Sequence, residues 1–251
     1  MNQIRKEAIK NYIKEHGKAT VKEICDLCPG VSTMTIYRDM ERLEEEGELI
    51  RVRGGAIAAT HERASESKIE TRMKRNLDEK RQMAKKAMAL IQPDSTIILD
   101  AGTSNLALAN TMPDMRINIF TTAPNIAVEL SKLTNPTIHM CGGTLNRSNQ
   151  AVSGSSTLEM LGSINFEYAF IGVSGFTAEG GFSCGMEEEM QVKRLLIKKA
   201  KKTIVLMDSS KIGKIFPYKF GDLEDIDFVI GDEKLSEEFI SLAKEAGVEV
   251  L

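Results

Sequence analysis

The part of this 251-residue sequence that most restricts the fold is residues 32–55, where a helical pattern gives way to a strand-like one. Ser32 is a favoured helix N-cap. It precedes an apolar stripe at helical spacing, formed by Ile36, Met40 and Leu43. Residues 49–53 then alternate as in a strand, and a glycine pair at 54–55 turns the chain. We therefore expect a helix followed by a β-wing.

Two further helices are predicted ahead of this segment. Ile4, Ala8 and Tyr12 follow helical spacing. Thr20 and Glu23 match a capping box, in which hydroxyl and carboxylate satisfy free backbone amides at a helix start. Three helices and a wing in this order predict a winged helix-turn-helix, which we assign to residues 1–60.

A winged helix-turn-helix implies contact with double-stranded DNA. The second helix of the pair lies in the major groove with its N-terminal residues on base edges. The predicted contacts to bases and phosphates are Ser32, Thr33, Thr35, Tyr37 and Arg38 in the helix, and Arg51, Arg53 and Gly54 in the wing. The glycine pair would let the backbone approach DNA closely. The alternative is a helix that binds only protein, with Arg38 and Asp39 paired locally at the surface.

The net charge of −3 does not by itself favour DNA binding. Residues 1–60 contain ten Lys or Arg and ten Asp or Glu, whereas residues 61–86 contain nine and five. A neutral reading domain gains little from non-specific phosphate attraction. Residues 61–77 are charged and lack a sustained apolar period, so they predict a linker.

Other features narrow the class of protein. No apolar run approaches the ~20 residues that span a bilayer, and the N-terminus lacks a signal-peptide core. We therefore predict a cytoplasmic protein with no membrane partner. Cys25 and Cys28 have a zinc-like spacing, but only His16 lies nearby and a structural zinc needs four ligands. We predict no metal and no cofactor, and two small residues on a buried helix face.

Residues 78–251 alternate strand-like and helical patterns, which predicts an α/β domain with a mostly parallel sheet. The predicted strands are residues 96–99, 117–121, 137–141, 168–173, 203–207 and 227–230. The predicted helices are residues 105–111, 126–133, 155–161, 187–200 and 236–245.

Small polar residues cluster at the ends of these strands, where parallel sheets bind ligands. They are Asp100, Gly102, Thr103, Ser104, Thr121, Gly142, Gly143, Gly172, Ser174, Gly175, Asp208 and Lys211. Residues 102–104 precede a helix whose free N–H groups can hold a phosphate. Lys193, Lys211 and Arg147 can add cationic contacts, and the Asp100 carboxylate suits sugar hydroxyls. A plain helix cap, or a solvated lysine face, is the simpler explanation of each motif alone.

These motifs resemble the DeoR family of bacterial transcriptional regulators over nearly the whole chain. The N-terminal match is Val31-Ser32, Thr35-Ile36-Tyr37-Arg38-Asp39-Met40, Leu43-Glu44-Glu45-Glu46-Gly47 and Arg51-Val52-Arg53-Gly54-Gly55. Tyr37 and Arg53 depart from it, since the family has Arg and His there. The C-terminal match is Asp100 to Ser104, Gly142-Gly143 with Gly154, Ile171 to Gly175, Glu189 to Lys193-Arg194, and Asp208 to Lys211.

The resemblance implies a repressor of carbohydrate-metabolism genes whose second domain, similar in fold to ribose-5-phosphate isomerase, binds a phosphorylated sugar. It also implies phosphate recognition at residues 102–104, with Lys193 and Lys211 near the ligand. The expected partners are operator DNA, the effector, and further copies in a homodimer or tetramer. The alternative is a phosphosugar isomerase-like enzyme with an appended helix-turn-helix, in which Asp100, Glu189 and Lys193 serve as acid and base.

Overall fold

The computed structural model describes residues 3–45, 48–52, 54–58 and 69–251. The chain forms two compact units, Met1–Ser67 and Lys68–Leu251. Each unit has its own apolar core.

The first unit contains three helices and three short strands among its described residues. They are α1 (Gln3–His16), β1 (Lys18–Thr20), α2 (Val21–Leu27), α3 (Thr33–Glu45), β2 (Leu49–Val52) and β3 (Gly55–Ala58). The strands form an antiparallel sheet in the order β1-β3-β2. The predicted helices and wing strand are present, whereas β1 and β3 are additional. Both are short strands, in which too few residues alternate to give a pattern.

Capping and burial explain these helices. The Thr20 hydroxyl accepts from Glu23 N at 3.2 Å, and the Glu23 carboxylate accepts from Thr20 N at 2.7 Å, which completes the predicted capping box. The helices bury Ile9, Ile13, Ile24, Ile36, Met40 and Leu43 in one cluster. Each such side chain contributes about 1.5–3 kcal/mol when it leaves water.

The second unit is built on a sheet of seven parallel strands among its described residues. These are β4 (Thr96–Leu99), β5 (Asn118–Thr121), β6 (Thr137–Met140), β9 (Phe166–Gly172), β12 (Ala200–Leu206), β14 (Phe228–Ile230) and β15 (Glu249–Val250). Their order across the sheet is β15-β14-β12-β9-β4-β5-β6. The predicted α/β class and parallel sheet are confirmed, and β15 is an additional edge strand.

Helices cover both faces of this sheet. The described helices of this unit are α4 (Ile69–Met73), α5 (Leu77–Met88), α6 (Thr103–Asn110), α7 (Pro124–Leu130), α8 (Ser155–Gly162), α9 (Glu187–Lys199) and α10 (Glu237–Glu245). One apolar cluster joins the sheet to α5, α6 and α7, and the other joins it to α8, α9 and α10. Burial on both faces explains the continuous apolar strands.

Short antiparallel strands, which the sequence patterns did not predict, lie outside the main sheet. One hairpin pairs β7 (Thr144–Asn146) with β8 (Ala151–Ser153). A second small sheet contains β10 (Gly175–Thr177), β11 (Gly181–Cys184) and β13 (Tyr218–Gly221).

The predicted linker differs from the structure in its second half. Residues 61–68 lie outside the described residues, but Ile69–Met73 is helical and Ile69 is only 1% exposed. Ile69 N donates to Ser148 O at 3.0 Å, which ties this segment to the β7–β8 turn. A single buried residue in a five-residue helix leaves no periodic pattern, so composition alone suggested a linker.

In the part of the chain that the structure describes, no helix is long and apolar enough to cross a membrane. Cys28, Cys141 and Cys184 are buried and Cys25 is half-buried, all as free thiols. Among the same residues no group of three or more His, Cys, Asp or Glu side chains could hold a metal ion.

Candidate DNA interface and effector site

The start of α3 is held by its own hydroxyl groups. Ser32 Oγ accepts from Thr35 N at 3.2 Å and lies 2.9 Å from Thr35 Oγ1. Ser32 therefore acts as the N-cap, and the Thr35 hydroxyl is engaged with it. Thr33 stays exposed, and its hydroxyl has a long 3.9 Å contact from Cys25 Sγ.

The two faces of α3 differ sharply in burial. Ile36, Asp39, Met40 and Leu43 are buried against the rest of the unit. The opposite face exposes Thr33, Met34, Tyr37 and Arg38. The predicted base-contacting residues Thr33, Tyr37 and Arg38 thus lie together on a free helix face.

Asp39 has a structural partner on another helix. Its carboxylate accepts from Arg5 Nε at 2.5 Å, and Asp39 is 2% exposed. The local surface pair between Arg38 and Asp39, considered as an alternative, is not formed. Arg38 has no ion pair with any described residue and is exposed, so its guanidinium is available to a ligand outside the unit.

The wing arginine Arg51 is bound to α3. Its Nε lies 2.7 Å from Glu44 Oε2, its backbone N donates to Glu44 Oε1 at 2.8 Å, and Glu41 is 3.7 Å away. A phosphate would have to compete with these carboxylates for Arg51. Arg53, the other predicted wing contact, lies outside the described residues.

The two wing glycines are required for different structural reasons. Gly54 has a φ of +84°, and its carbonyl accepts from Val21 N at 2.9 Å at the start of α2. A Cβ on Gly55 would lie 2.1 Å from Ala19 O, because β3 packs closely on β1. The close approach predicted for DNA is, at Gly55, an approach between two strands of the unit.

The candidate effector site lies where the strand order of the large sheet reverses. From β4 the chain adds β5 and β6 on one side, then returns to β9 on the other, so β4 and β9 flank the switch point. Asp100 follows β4 and Gly172 ends β9. Open α/β sheets bind ligands in the crevice beyond the strands at such a point.

Lys193 of α9 reaches this point and pairs with Asp100. Its ammonium contacts the Asp100 carboxylate and donates to Gly172 O at 2.9 Å, and both charged residues are 4% exposed. Burial lowers the pKa of Lys193, but the charges of Asp100 and Glu189 outweigh it and raise the pKa above the usual lysine value. Lys193 is therefore a permanent cation at neutral pH.

Thr122, which was not among the predicted site residues, and the predicted residues Glu189 and Gly172 surround this pair. The Thr122 hydroxyl donates to Asp100 Oδ1 at 3.5 Å. Glu189 lies in the first turn of α9 and is half-buried. A Cβ on Gly172 would lie 3.0 Å from Ala101 O, so glycine fits the close approach of the two strand ends.

The first turn of α6 presents donors beside the pair. Gly102 is the N-cap with a φ of +143°, and Thr103 and Ser104 are half-buried. Their backbone N–H groups, with that of Asn105, meet no acceptor among the described residues. Such an N-terminus can bind an anion through its free N–H groups and the helix dipole.

Asn105 is a site residue that the sequence patterns missed. Its Nδ2 donates to Asp100 O at 2.8 Å and Phe170 O at 3.0 Å, which joins the ends of β4 and β9. Its Oδ1 is buried without a partner among the described residues. Its place directly after the Gly-Thr-Ser turn was the available signal.

Several predicted effector residues have packing roles here. Thr121 is fully buried, donates to Leu99 O at 2.8 Å and accepts from Ala123 N at 3.1 Å. Gly142 O accepts from Thr157 Oγ1 at 2.6 Å. A Cβ on Gly143 would lie 2.3 Å from the same Thr157 hydroxyl oxygen.

The residues after β9 also serve the fold. A Cβ on Gly175 would lie 2.4 Å from Lys214 O. Ser174 is buried and its N donates to Ser183 O at 3.2 Å. The predicted cation Arg147 lies exposed in the β7–β8 turn.

Asp208 is the N-cap of a short 3₁₀-helix (Ser209–Lys211) after β12, and Lys211 is its last residue. The Asp208 carboxylate accepts from Ser210 N at 3.1 Å, from the Ser210 hydroxyl, and from Asn76 Nδ2 at 3.0 Å. Burial raises the pKa of Asp208, but the charge of Lys211 and the Ser210 bonds outweigh this and lower it.

Lys80 of α5 is a second residue that the sequence patterns missed. It is 5% exposed, and its ammonium donates to Arg72 O at 2.6 Å and to Arg75 O. Burial lowers its pKa to about 8. Its helix carries charged residues on several faces, so nothing in the sequence marked this lysine as buried.

Together, these features define a class of protein: a DNA-reading winged helix joined to an α/β domain with a polar site at its switch point. The DeoR-like helix-turn-helix domain model matches residues 5–62, and the DeoR C-terminal sensor domain model matches residues 75–233. The chain belongs to the DeoR family and is a DNA-binding transcriptional regulator.

Curated relatives agree with this assignment. The HTH-type transcriptional repressor GlcR of Bacillus subtilis is 36% identical over 97% of this chain and 93% of its own length. A putative aga operon transcriptional repressor of Escherichia coli O157:H7 is 32% identical, over 98% and 92%. The regulator GolR of Listeria innocua is 31% identical, over 98% and 96%.

Among solved structures, ribose 5-phosphate isomerase A of Methanocaldococcus jannaschii aligns with 17% identity and a TM-score of 0.41. It covers 55% of this chain and 56% of that one.

Proposed function

We propose that this regulator represses genes of carbohydrate metabolism and that a phosphorylated sugar bound in the second unit controls it. The observation that carries the proposal is the first turn of α6, where the N–H groups of Thr103, Ser104 and Asn105 meet no acceptor among the described residues and lie beside a buried carboxylate. N–H groups and the helix dipole suit a phosphate, and oxygen acceptors suit sugar hydroxyls. The relatives named as repressors support the direction of control.

The proposal includes the cytoplasm as location and a homodimer or tetramer as the DNA-bound form. Dimers of helix-turn-helix proteins read paired half-sites at a fixed spacing. An effector that changes the placement of two reading units would therefore change operator affinity.

We also infer a role for the segment that connects the sensor to the rest of the chain. Asn76 joins the start of α5 to Asp208, and Lys80 donates to the Arg72 carbonyl in α4 and to the Arg75 carbonyl just after it. An effector that contacts Asp208 or Lys211 would therefore act on the hydrogen bond that Asn76 donates to Asp208. Asn76→Ala should keep effector binding but weaken the effect of the effector on operator affinity.

The first test is a thermal-shift screen of the full chain against pentose and hexose phosphates and the same sugars without phosphate. A bound effector raises stability by RT ln(1 + [L]/Kd), about 2.7 kcal/mol at 100 times Kd. Thr103→Glu should abolish the shift, because its carboxylate repels phosphate while it suits the first helical turn. Thr103→Gln is the matched neutral control and should retain most of it. An unchanged response in Thr103→Glu would remove the phosphate site from α6.

The second test measures operator binding by fluorescence anisotropy with and without the stabilising sugar phosphate. Unchanged affinity at saturation would refute control by this ligand. A turnover assay on the same compounds addresses the isomerase alternative. Asp100, its candidate base, is bound by the Lys193 ammonium in a buried pair, so we expect no conversion.

A further inference from the structure

Met34 is an exposed apolar side chain on a face otherwise made of polar groups. It is the second residue of α3 and is 65% exposed, more than the neighbouring Tyr37 at 44%. The buried face of the same helix is already filled by Ile36, Met40 and Leu43. Met34 therefore contributes nothing evident to the core of the unit.

The position of Met34 places it among the residues that meet base edges. Helix geometry puts Tyr37 and Arg38, three and four residues later, on the same face. The N-terminal residues of a recognition helix are the ones that reach into the major groove. The cap between Ser32 and Thr35 fixes the backbone from which Met34 projects.

The chemistry of the side chain restricts what it can read. A thioether is a weak acceptor without a donor, so it gains little from the hydrogen-bonding atoms of a base pair. The most prominent apolar group in the major groove is the C5-methyl group of thymine. We propose that Met34 reads a thymine methyl group in each operator half-site, next to the base pair that Arg38 contacts. This inference rests on DNA binding by the first unit and is independent of the effector.

The test compares thymine with uracil, which pairs identically but lacks the methyl group. The full chain first selects its operator from a pool of random duplexes. Each thymine of that operator is then replaced by uracil, and Kd is measured by fluorescence anisotropy. At one position in each half-site, uracil should weaken binding about fourfold, as expected for removing one methyl group from an apolar contact.

Variants assign the effect to a residue. Met34→Ala should bind the thymine operator about fourfold less tightly and should no longer distinguish uracil. Alanine is a better helix former than methionine, so α3 should remain intact. Met34→Leu should keep the discrimination because it keeps an apolar contact. Ile4→Ala, which truncates an 81% exposed residue on α1, is the matched control and should behave as the parent.

Two results would overturn the proposal. Either the parent chain tolerates uracil at every thymine, or Met34→Ala keeps the full penalty for uracil. Loss of that penalty in Tyr37→Ala, with Met34→Ala unchanged, would assign the reading to Tyr37 instead.

Discussion

Removing the Lys193 ammonium should destabilise the second unit by several kcal/mol. Lys193→Met leaves the Asp100 carboxylate at 4% exposure without its cation, and breaking a buried pair on one side costs about 3–5 kcal/mol. The hydrogen bond to Gly172 O is lost as well, at about 1 kcal/mol. Such a loss is a large part of the ~5–15 kcal/mol that holds a typical domain together.

A double-mutant cycle separates the pair from packing effects. Asp100→Asn combined with Lys193→Met leaves no buried charge, so the double variant should be more stable than Lys193→Met alone. We expect a coupling energy of about 2–3 kcal/mol between the two sites. The measurement is urea unfolding of the full chain by circular dichroism, fitted for the transition of the larger unit. At pH 7 the pair contributes fully, because the pKa of Lys193 is raised and its contribution is lost only as pH rises through that value.

An exposed pair provides the matched control. Lys202 and Asp227 lie 2.6 Å apart with side chains 47% and 32% exposed. Lys202→Met should cost no more than about 1 kcal/mol, since surface ion pairs contribute little. The reasoning about Lys193 would be refuted by a cost within about 1 kcal/mol of this control, or by additive costs in the double variant.

Further predictions concern pH, the wing and DNA affinity. The pKa of Lys80 in the folded chain is lowered to about 8. Between pH 8 and about 10.4 the unfolded chain therefore binds more protons at this lysine than the folded chain does. The free energy of unfolding should rise by about 2 kcal/mol from pH 7 to 9.5 on account of this group. The pKa of Cys141 is raised to about 11, so this thiol changes the free energy of unfolding in the opposite sense over the same pH range. The measurement is therefore urea unfolding of the parent and of Lys80→Met at pH 7 and 9.5, and only the parent should gain the contribution of Lys80. An equal change in the free energy of unfolding for both proteins would contradict the prediction. Gly55→Ala should cost about 1–3 kcal/mol in thermal unfolding of the first unit and weaken operator binding, because its Cβ would overlap Ala19 O. Arg38→Ala should cost about 1–3 kcal/mol of operator affinity by anisotropy if Arg38 makes a bidentate base contact, and unchanged affinity would rule that contact out.

Local patterns predicted the elements because their causes are local. The Thr20–Glu23 capping box joins residues three apart, so it is visible in the sequence and present in the structure. Residues 96–99 form a short apolar run, and the helix from Glu187 begins with acidic residues and ends with lysines, so both signals lie within a few residues. Short strands such as β1 and β15 were not predicted because two or three residues are too few to show an alternating pattern.

The candidate site was only partly visible for the same reason. Strand ends mark where ligands gather, so Asp100 and Gly172 could be named in advance. Nothing local shows that Lys193 reaches Asp100, which lies 93 residues earlier in the chain, or that the Thr121 hydroxyl is engaged within the fold. Lys80 and Asn105 were missed because their burial follows from packing of whole elements.

The sequence by itself determined the order of elements, the winged helix-turn-helix, the α/β class and the family resemblance, since periodicity, caps and glycine positions act over a few residues. The tertiary structure decided which charges are paired and which stay free. It bound Asp39 to Arg5 and left Arg38 exposed, and it buried Lys193 on Asp100. Which charged groups pair depends on their distance in space. The energy of each pair depends on its desolvation, which occurs only when the chain packs.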